Sequence, residues 1–190
     1  LSLQNRIMKK IFLSFVFFLV IFSSQVYAQS EILIPTVTTT PTPTLALIEY
    51  KLPYPGILPG SPLYPVKMLR DRIMEILISD PLKKANFYLL QADKRVASSV
   101  MLFEKGDKDL GQTTLSKAQN YLEKSLERTV SAKNSGKDVG DIFVRIKNSA
   151  TKQRQEIEEL SKKSKEIGKK LKGDLIRVQK FEKRVEEIKP

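Results

Sequence analysis

Cysteine and histidine are both missing from this 190-residue chain, and tryptophan is missing with them. Those absences remove most ordinary site chemistry: zinc on its usual imidazole and thiolate ligands, thiol nucleophiles, serine triads with a histidine base, and haem with an axial histidine. No disulfide can hold the fold and no cysteine can carry a lipid, so packing alone must stabilise it. Glycine is sparse beyond residue 62, where alanine, leucine, isoleucine, lysine and glutamate dominate, and that composition favours helices over sheets. Acidic residues are the minority charge, 21 against 33 lysines and arginines, giving +12 and a pI near 9.8. Attraction to polyanions is the physical default for such a chain. The length allows one modest domain with appendages.

Residues 1–28 hold Arg6, Lys9 and Lys10, no acidic residue, the 12-residue apolar run Ile11 to Phe22, and then small residues ending at Ala28. Basic start, apolar middle and small-residue end are the parts of a secretory signal peptide, with cleavage expected after Ala28. Without those three cations the remaining chain carries 30 basic and 21 acidic residues, or +9. The competing reading is an uncleaved anchor, but the central run is shorter than the roughly 20 apolar residues a spanning helix needs. Membrane attachment is expected only if the segment is retained.

Residues 29–46 read as a disordered linker. Its centre, Pro35 to Thr44, holds six threonines and three prolines in ten residues and cannot bury enough apolar surface to offset its ordering entropy. Residues 47–64 form a proline-rich strap. Leu47 to Pro65 carries five prolines and three tyrosines among leucine and isoleucine, which forbids helix and favours extended backbone. Leu52, Tyr54, Ile57, Leu58, Leu63 and Tyr64 are expected to dock on the helices. The alternative is that Tyr54, Ile57, Leu58 and Tyr64 contact a partner groove.

A helical hairpin region is expected over residues 65–136. Pro62 and Pro65 open its first helix, where first-turn N–H groups lack partners anyway, and Val66, Leu69, Ile73 and Ile76 or Leu77 recur at helical spacing as far as Ser79. Asp80-Pro81 is a second start signal, an N-cap followed by proline. Leu82, Ala85, Leu89, Ala92, Val96, Ser99 and Phe103 follow in threes and fours, with Phe87, Leu90, Ala97 and Met101 widening the stripe until it needs neighbours on two sides. Gly106 is placed to end that helix. A third runs over about 109–133, with Leu115, Ala118, Leu122, Ser125 and Thr129 on one face, until Asn134-Ser135-Gly136 breaks it.

Residues 137–190 form a long basic helical region. From Phe143 to Ile188 apolar residues alternate steps of three and four, a coiled-coil-like seam interrupted at Gln153, Ser164 and Asp174. Gly168 and Gly173 each cost about 1 kcal/mol relative to alanine inside a helix, so a bend or break is expected between Ile167 and Asp174.

The stretch Leu52 to Ile73, LPYPGILPGSPLYPVKMLRDRI, resembles an uncharacterised family of exported bacterial domains, domain of unknown function fifty-six sixty-seven. The likeness continues through ISDPLKKANFYLLQADKRVA (Ile78 to Ala97) and, more weakly, through TTLSKAQNYLEKS (Thr113 to Ser125). The resemblance implies a secreted or membrane-tethered helical domain and carries no activity or catalytic residues with it.

Lys162, Lys163, Lys165, Lys169, Lys170 and Lys172 form the densest basic cluster, diluted by Glu166. It is either a polyanion contact driven by counterion release or the solvated face of a helical seam. Aromatic interleaving for base stacking is missing. Glu156, Glu158 and Glu159 lie at ion-pair spacing from Arg154, Lys162 and Lys163. Arg70, Asp71 and Arg72 are expected to join Asp93, Lys94 and Arg95 in a polar network across the first corner.

These features give an all-α fold: a helical bundle or hairpin with a long coiled-coil-like C-terminal helix, preceded by a proline-rich strap. The expected function is that of an exported, non-enzymatic structural or protein-interaction module at the cell envelope, outside the cytoplasmic membrane. It would pair with itself or with a protein partner through helix surfaces. The alternative is a basic envelope protein binding wall polymer, extracellular nucleic acid or anionic lipid. No catalytic residue, cofactor, metal or small-molecule substrate is expected.

Overall fold

The computed structural model describes residues 50–188, which hold five α-helices and no strand. The signal-peptide segment, the linker and the first residues of the strap lie outside the described residues. The helices are α1, Tyr64–Leu77; α2, Pro81–Glu104; α3, Lys108–Asn134; α4, Gly140–Lys163; and α5, Lys165–Glu187.

Local chemistry sets each boundary. Asp80 is extended and accepts a hydrogen bond at Oδ1 from the Lys83 N–H (2.9 Å), with Pro81 at the first helical position of α2, where its missing N–H costs nothing. The other end of α2 closes through Gly106 at φ +88°: its N–H donates to Phe103 O, and the next N–H, of Asp107, donates to Leu102 O. That paired closure needs a left-handed residue, which glycine supplies without strain. Gly136 ends α3 in the same way.

α2 and α3 form an antiparallel hairpin. Ser99 Oγ donates to Gly111 O (2.8 Å) near one end and Ser125 Oγ to Ala85 O (2.9 Å) near the other. The backbones come close because Gly111 has no side chain; a Cβ there would lie 2.9 Å from Phe103 Cδ2. α4 and α5 form a second antiparallel hairpin, joined by Arg154 to Glu182 and Lys147 to Glu186. Between the hairpins, partners sit a near-constant distance apart in sequence. Arg145 bonds Asn86 59 residues away, Ser149 bonds Asp93 56 away, Ser116 bonds Asp174 58 away, and Lys108 pairs with Glu166 58 away. Constant separation means parallel stacking, so α2 lies along α4 and α3 along α5 in a four-helix bundle.

The core has two clusters. One gathers Leu89, Leu122, Leu126, Ile142, Phe143, Ile146, Phe181 and Val185, and the other Val96, Leu115, Ile157, Leu160, Ile167, Leu171 and Val178. Each fully buried leucine or isoleucine contributes about 1.5 to 3 kcal/mol, so these positions dominate the packing. Asp93, Gln119 and Gln153 fall between the two clusters along α2, α3 and α4, and all three are buried. The broad stripe of α2 does have neighbours on two sides, α3 and α4.

The seam from Phe143 to Ile188 is carried by two antiparallel helices rather than one long one. The break falls at Ser164, not between Ile167 and Asp174. Ser164 is extended (φ −161°, ψ 141°) and its Oγ accepts from the Glu166 N–H, an N-cap that restarts the helix. Both glycines lie within α5. Gly168 serves the corner instead, since a Cβ on it would meet Ser161 O at 3.2 Å.

Candidate functional site

α1 is turned inside out. At 3.6 residues per turn, Val66, Leu69, Ile73, Met74, Ile76 and Leu77 span an arc of about 160° together with the preceding Leu63, and all of them are exposed: Leu69 is 60% exposed, Ile73 45% and Ile76 70%. The opposite side, turned toward the bundle, is polar. Asp71 is buried there, Glu75 Oε1 accepts from Tyr88 Oη (2.8 Å), and Lys124 Nζ lies 3.5 Å from the same oxygen. Beneath α1 the buried Arg95 guanidinium stacks on the Tyr121 ring (4.2 Å to its centre), and its Nη1 donates to Gln91 Oε1 (2.6 Å). The stripe read from the sequence is real, and it faces water. The exposed side chains form one contiguous apolar strip along the helix.

Of the strap residues expected to dock, Leu52 reaches the core, and Tyr50, which is not among them, anchors the strap beside it. Tyr50 Oη donates to Asp93 Oδ2 (2.6 Å), Ser149 Oγ donates to Asp93 Oδ1 (2.5 Å), and Leu52 packs against the second core cluster. Tyr54 is 79% exposed, Ile57 is exposed, and Leu58 and Tyr64 are half-buried. Prolines on both sides of Tyr54 restrict its backbone. Lys67 Nζ holds the strap's turn by donating to the carbonyls of Pro55 (2.9 Å) and Ile57 (3.1 Å). Nothing in composition or spacing marks Tyr50, whose role depends on meeting α2 and α4 together.

Asp93 is 4% exposed. Burial raises its carboxyl above the ordinary carboxylate range, against the hydrogen bonds from Ser149 and Tyr50 and the charge of Arg145. The same burial, with the Asp93 charge, pushes the Tyr50 phenol upward. A serine hydroxyl on a carboxylate resembles part of a nucleophile's machinery, but Ser149 is fully buried and no substrate can reach it. The trio ties strap, α2 and α4 together. Asp93 therefore does not join Arg70, Asp71 and Arg72; Arg70 pairs with its neighbour Asp71 (2.8 Å).

The lysine cluster straddles the corner at Ser164. Lys163 pairs with Glu104 (3.6 Å), Lys170 pairs with Asp109, and Glu166 is taken by Lys108 (2.6 Å). Lys162, Lys163, Lys165, Lys169 and Lys172 are exposed, the last three on one face of α5. Two glutamates of α4 form ion pairs, Glu156 with Lys152 (2.8 Å) and Glu158 with Arg154 (3.0 Å), and Arg154 also reaches Glu182 of α5 (3.0 Å).

Among the described residues no group of acidic side chains is placed to hold a metal ion, and no helix is long and apolar enough to cross a membrane. A shallow surface depression lined by Gln119, Leu122, Glu123, Arg177, Val178 and Phe181 encloses essentially no space for a bound molecule.

A family model described as a domain of unknown function, DUF5667, matches residues 56–167, more than half of the chain. Neither the comparison with curated proteins nor that with solved structures gives a match.

Proposed function

The chain belongs to the DUF5667 family of domains of unknown function, and from that premise we propose that it is an exported, non-enzymatic structural or interaction module of the cell envelope, with the outward face of α1 as its contact surface. The observation that carries this reading is the exposure of six apolar α1 side chains on a helix held to the bundle by its polar side. Ordinary packing buries the apolar face of an amphipathic helix, so the reversed orientation requires another surface to cover it. Export is supported by the basic, apolar and small-residue order of residues 1–28. A non-enzymatic role is supported by the lack of histidine and cysteine and by the seclusion of Asp93 and Ser149 from solvent.

Photo-crosslinking tests the reading in native envelopes. A benzophenone side chain at Leu69, Ile73 or Ile76 should give adducts that the same group at Lys117, on the exposed side of α3, does not. Equal yields from both helices would overturn it.

The exposed lysines around Ser164 favour a second reading, an anionic polymer held electrostatically. Retention on heparin that falls steeply with salt, and falls again when Lys165, Lys169 and Lys172 become glutamine, would support it; salt-independent retention would oppose it.

A further inference from the structure

We propose that the outward face of α1 takes an anionic lipid surface, with the helix lying flat in the headgroup region. The proposal rests on the reading of α1 as the contact surface and names what covers it.

Three observations select this occupant over a second copy of the chain. The first is the placement of charge. Arg72 flanks one border of the apolar arc and Arg70 lies within the arc toward its other border, with side chains 70% and 58% exposed; Arg72 also pairs with Glu75 (3.7 Å) and Arg70 with Asp71 (2.8 Å). Both carboxylates of the helix are turned to the bundle, Asp71 buried and Glu75 engaged by Tyr88, Lys124 and Arg72. The face therefore presents apolar side chains with an arginine among them and another beside them, and no outward carboxylate. Long arginine stems can lie along the apolar strip while their heads reach phosphate. Two copies packed face to face would instead bring the Arg70 of each copy into the apolar contact.

The second observation is width. An arc of about 160° along a 14-residue helix is wider than the two-position seam a helix pair needs. A soft interface can take up the whole arc.

The third is presentation. α1 is too short to span a bilayer, which takes about 20 apolar residues. A helix with one apolar face, one polar face and exposed arginines on and beside the apolar face belongs in the interface plane. Lys67 pins its start to the Pro55 and Ile57 carbonyls, and Glu75 pins its far half to Tyr88, so the polar side is occupied and the apolar side stays outward.

The chain has no cysteine, so a single cysteine can be introduced in the full chain at Val66, Leu69, Ile73 or Ile76 and labelled with an environment-sensitive fluorophore. Thr113→Cys and Lys117→Cys, at exposed positions of α3, serve as controls that respond if any other segment drags the bundle to the vesicle. With phosphatidylglycerol vesicles the four α1 probes should shift to the blue and be quenched by brominated acyl chains. The shift should weaken as salt rises and be much smaller with phosphatidylcholine, and the α3 probes should not move. Silent α1 probes, a response shared by α3, or no preference for the anionic lipid would each overturn the proposal. A blue shift that grows with protein concentration and needs no vesicles would assign the face to a second copy instead. If the α1 probes are silent while crosslinking from Ile73 still captures a protein, the lipid assignment fails and the contact-surface reading stands.

Discussion

At the scale of single residues the most informative group is Asp93. A buried carboxylate whose pKa is raised keeps its proton in the folded state to a higher pH than in the unfolded chain. Between the ordinary 3.8 and its raised folded value the native state binds more protons, so this residue's contribution to stability falls as pH rises through that window and stays low above it. Asp93→Asn keeps the shape and removes the charge; its oxygen can accept from one of the two hydroxyls, while its NH2 must donate to the other. Urea melts across the acid to neutral range should show wild type losing stability relative to the variant as pH rises; a constant difference between the two would refute the assignment. Single residues are legible in the sequence where the signal is local. Asp80-Pro81 and Gly106 read correctly because a cap or a left-handed turn needs only its neighbours. Tyr50 and Ser149 do not, because their partner lies 43 and 56 residues away and a hydroxyl in sequence gives no sign of what it will meet.

At the scale of elements, periodicity finds the helices but not the direction in which they face. The stripe of α1 obeys the same three-and-four rule as those of α2 and α4, yet it points to solvent, because nothing in a pattern of apolar positions says whether a neighbour will be there. Matched isoleucines test this orientation. Ile146→Ala, in the bundle core at 0% exposure, should cost about 2 to 5 kcal/mol, whereas Ile76→Ala should stay within about 0.5 kcal/mol of wild type. A large loss at Ile76 would mean that α1 is packed the other way round. The two glycines of α5 make a second pair. A Cβ on Gly173 would have nothing within 4 Å of it, so Gly173→Ala should stabilise by roughly 0.5 to 1 kcal/mol through helix propensity alone. Gly168→Ala should not, because its methyl would press on the Ser161 carbonyl at the corner; equal gains in thermal melts would show that the corner can yield. By propensity these glycines are equal breaks, and only the fold-back at Ser164 separates them.

At the scale of the whole molecule, the bundle and the family's matched segment do not have the same extent. The likeness visible in the sequence runs from Leu52 to Ser125, and the family model carries it through α4 to residue 167, so nearly all of α5 falls outside the match. Yet α5 supplies Phe181 and Val185 to one core cluster and Ile167, Leu171 and Val178 to the other, and Asp174 accepts from Gln112 and Ser116 of α3. Without it α3 and α4 would each expose part of the stripe that α5 covers. At about 1.5 to 3 kcal/mol for each large apolar side chain left in water, that loss matches or exceeds the roughly 5 to 15 kcal/mol by which ordinary domains are stable. A chain ending at Ser164, which retains almost all of the matched segment, should therefore lose its cooperative melting transition and bind hydrophobic dye, and a separate peptide of residues 165–190 should restore the transition if added in excess. A sharp melt in the shortened chain near the wild-type midpoint would show instead that α2, α3 and α4 close a core among themselves, with α5 an accessory to it.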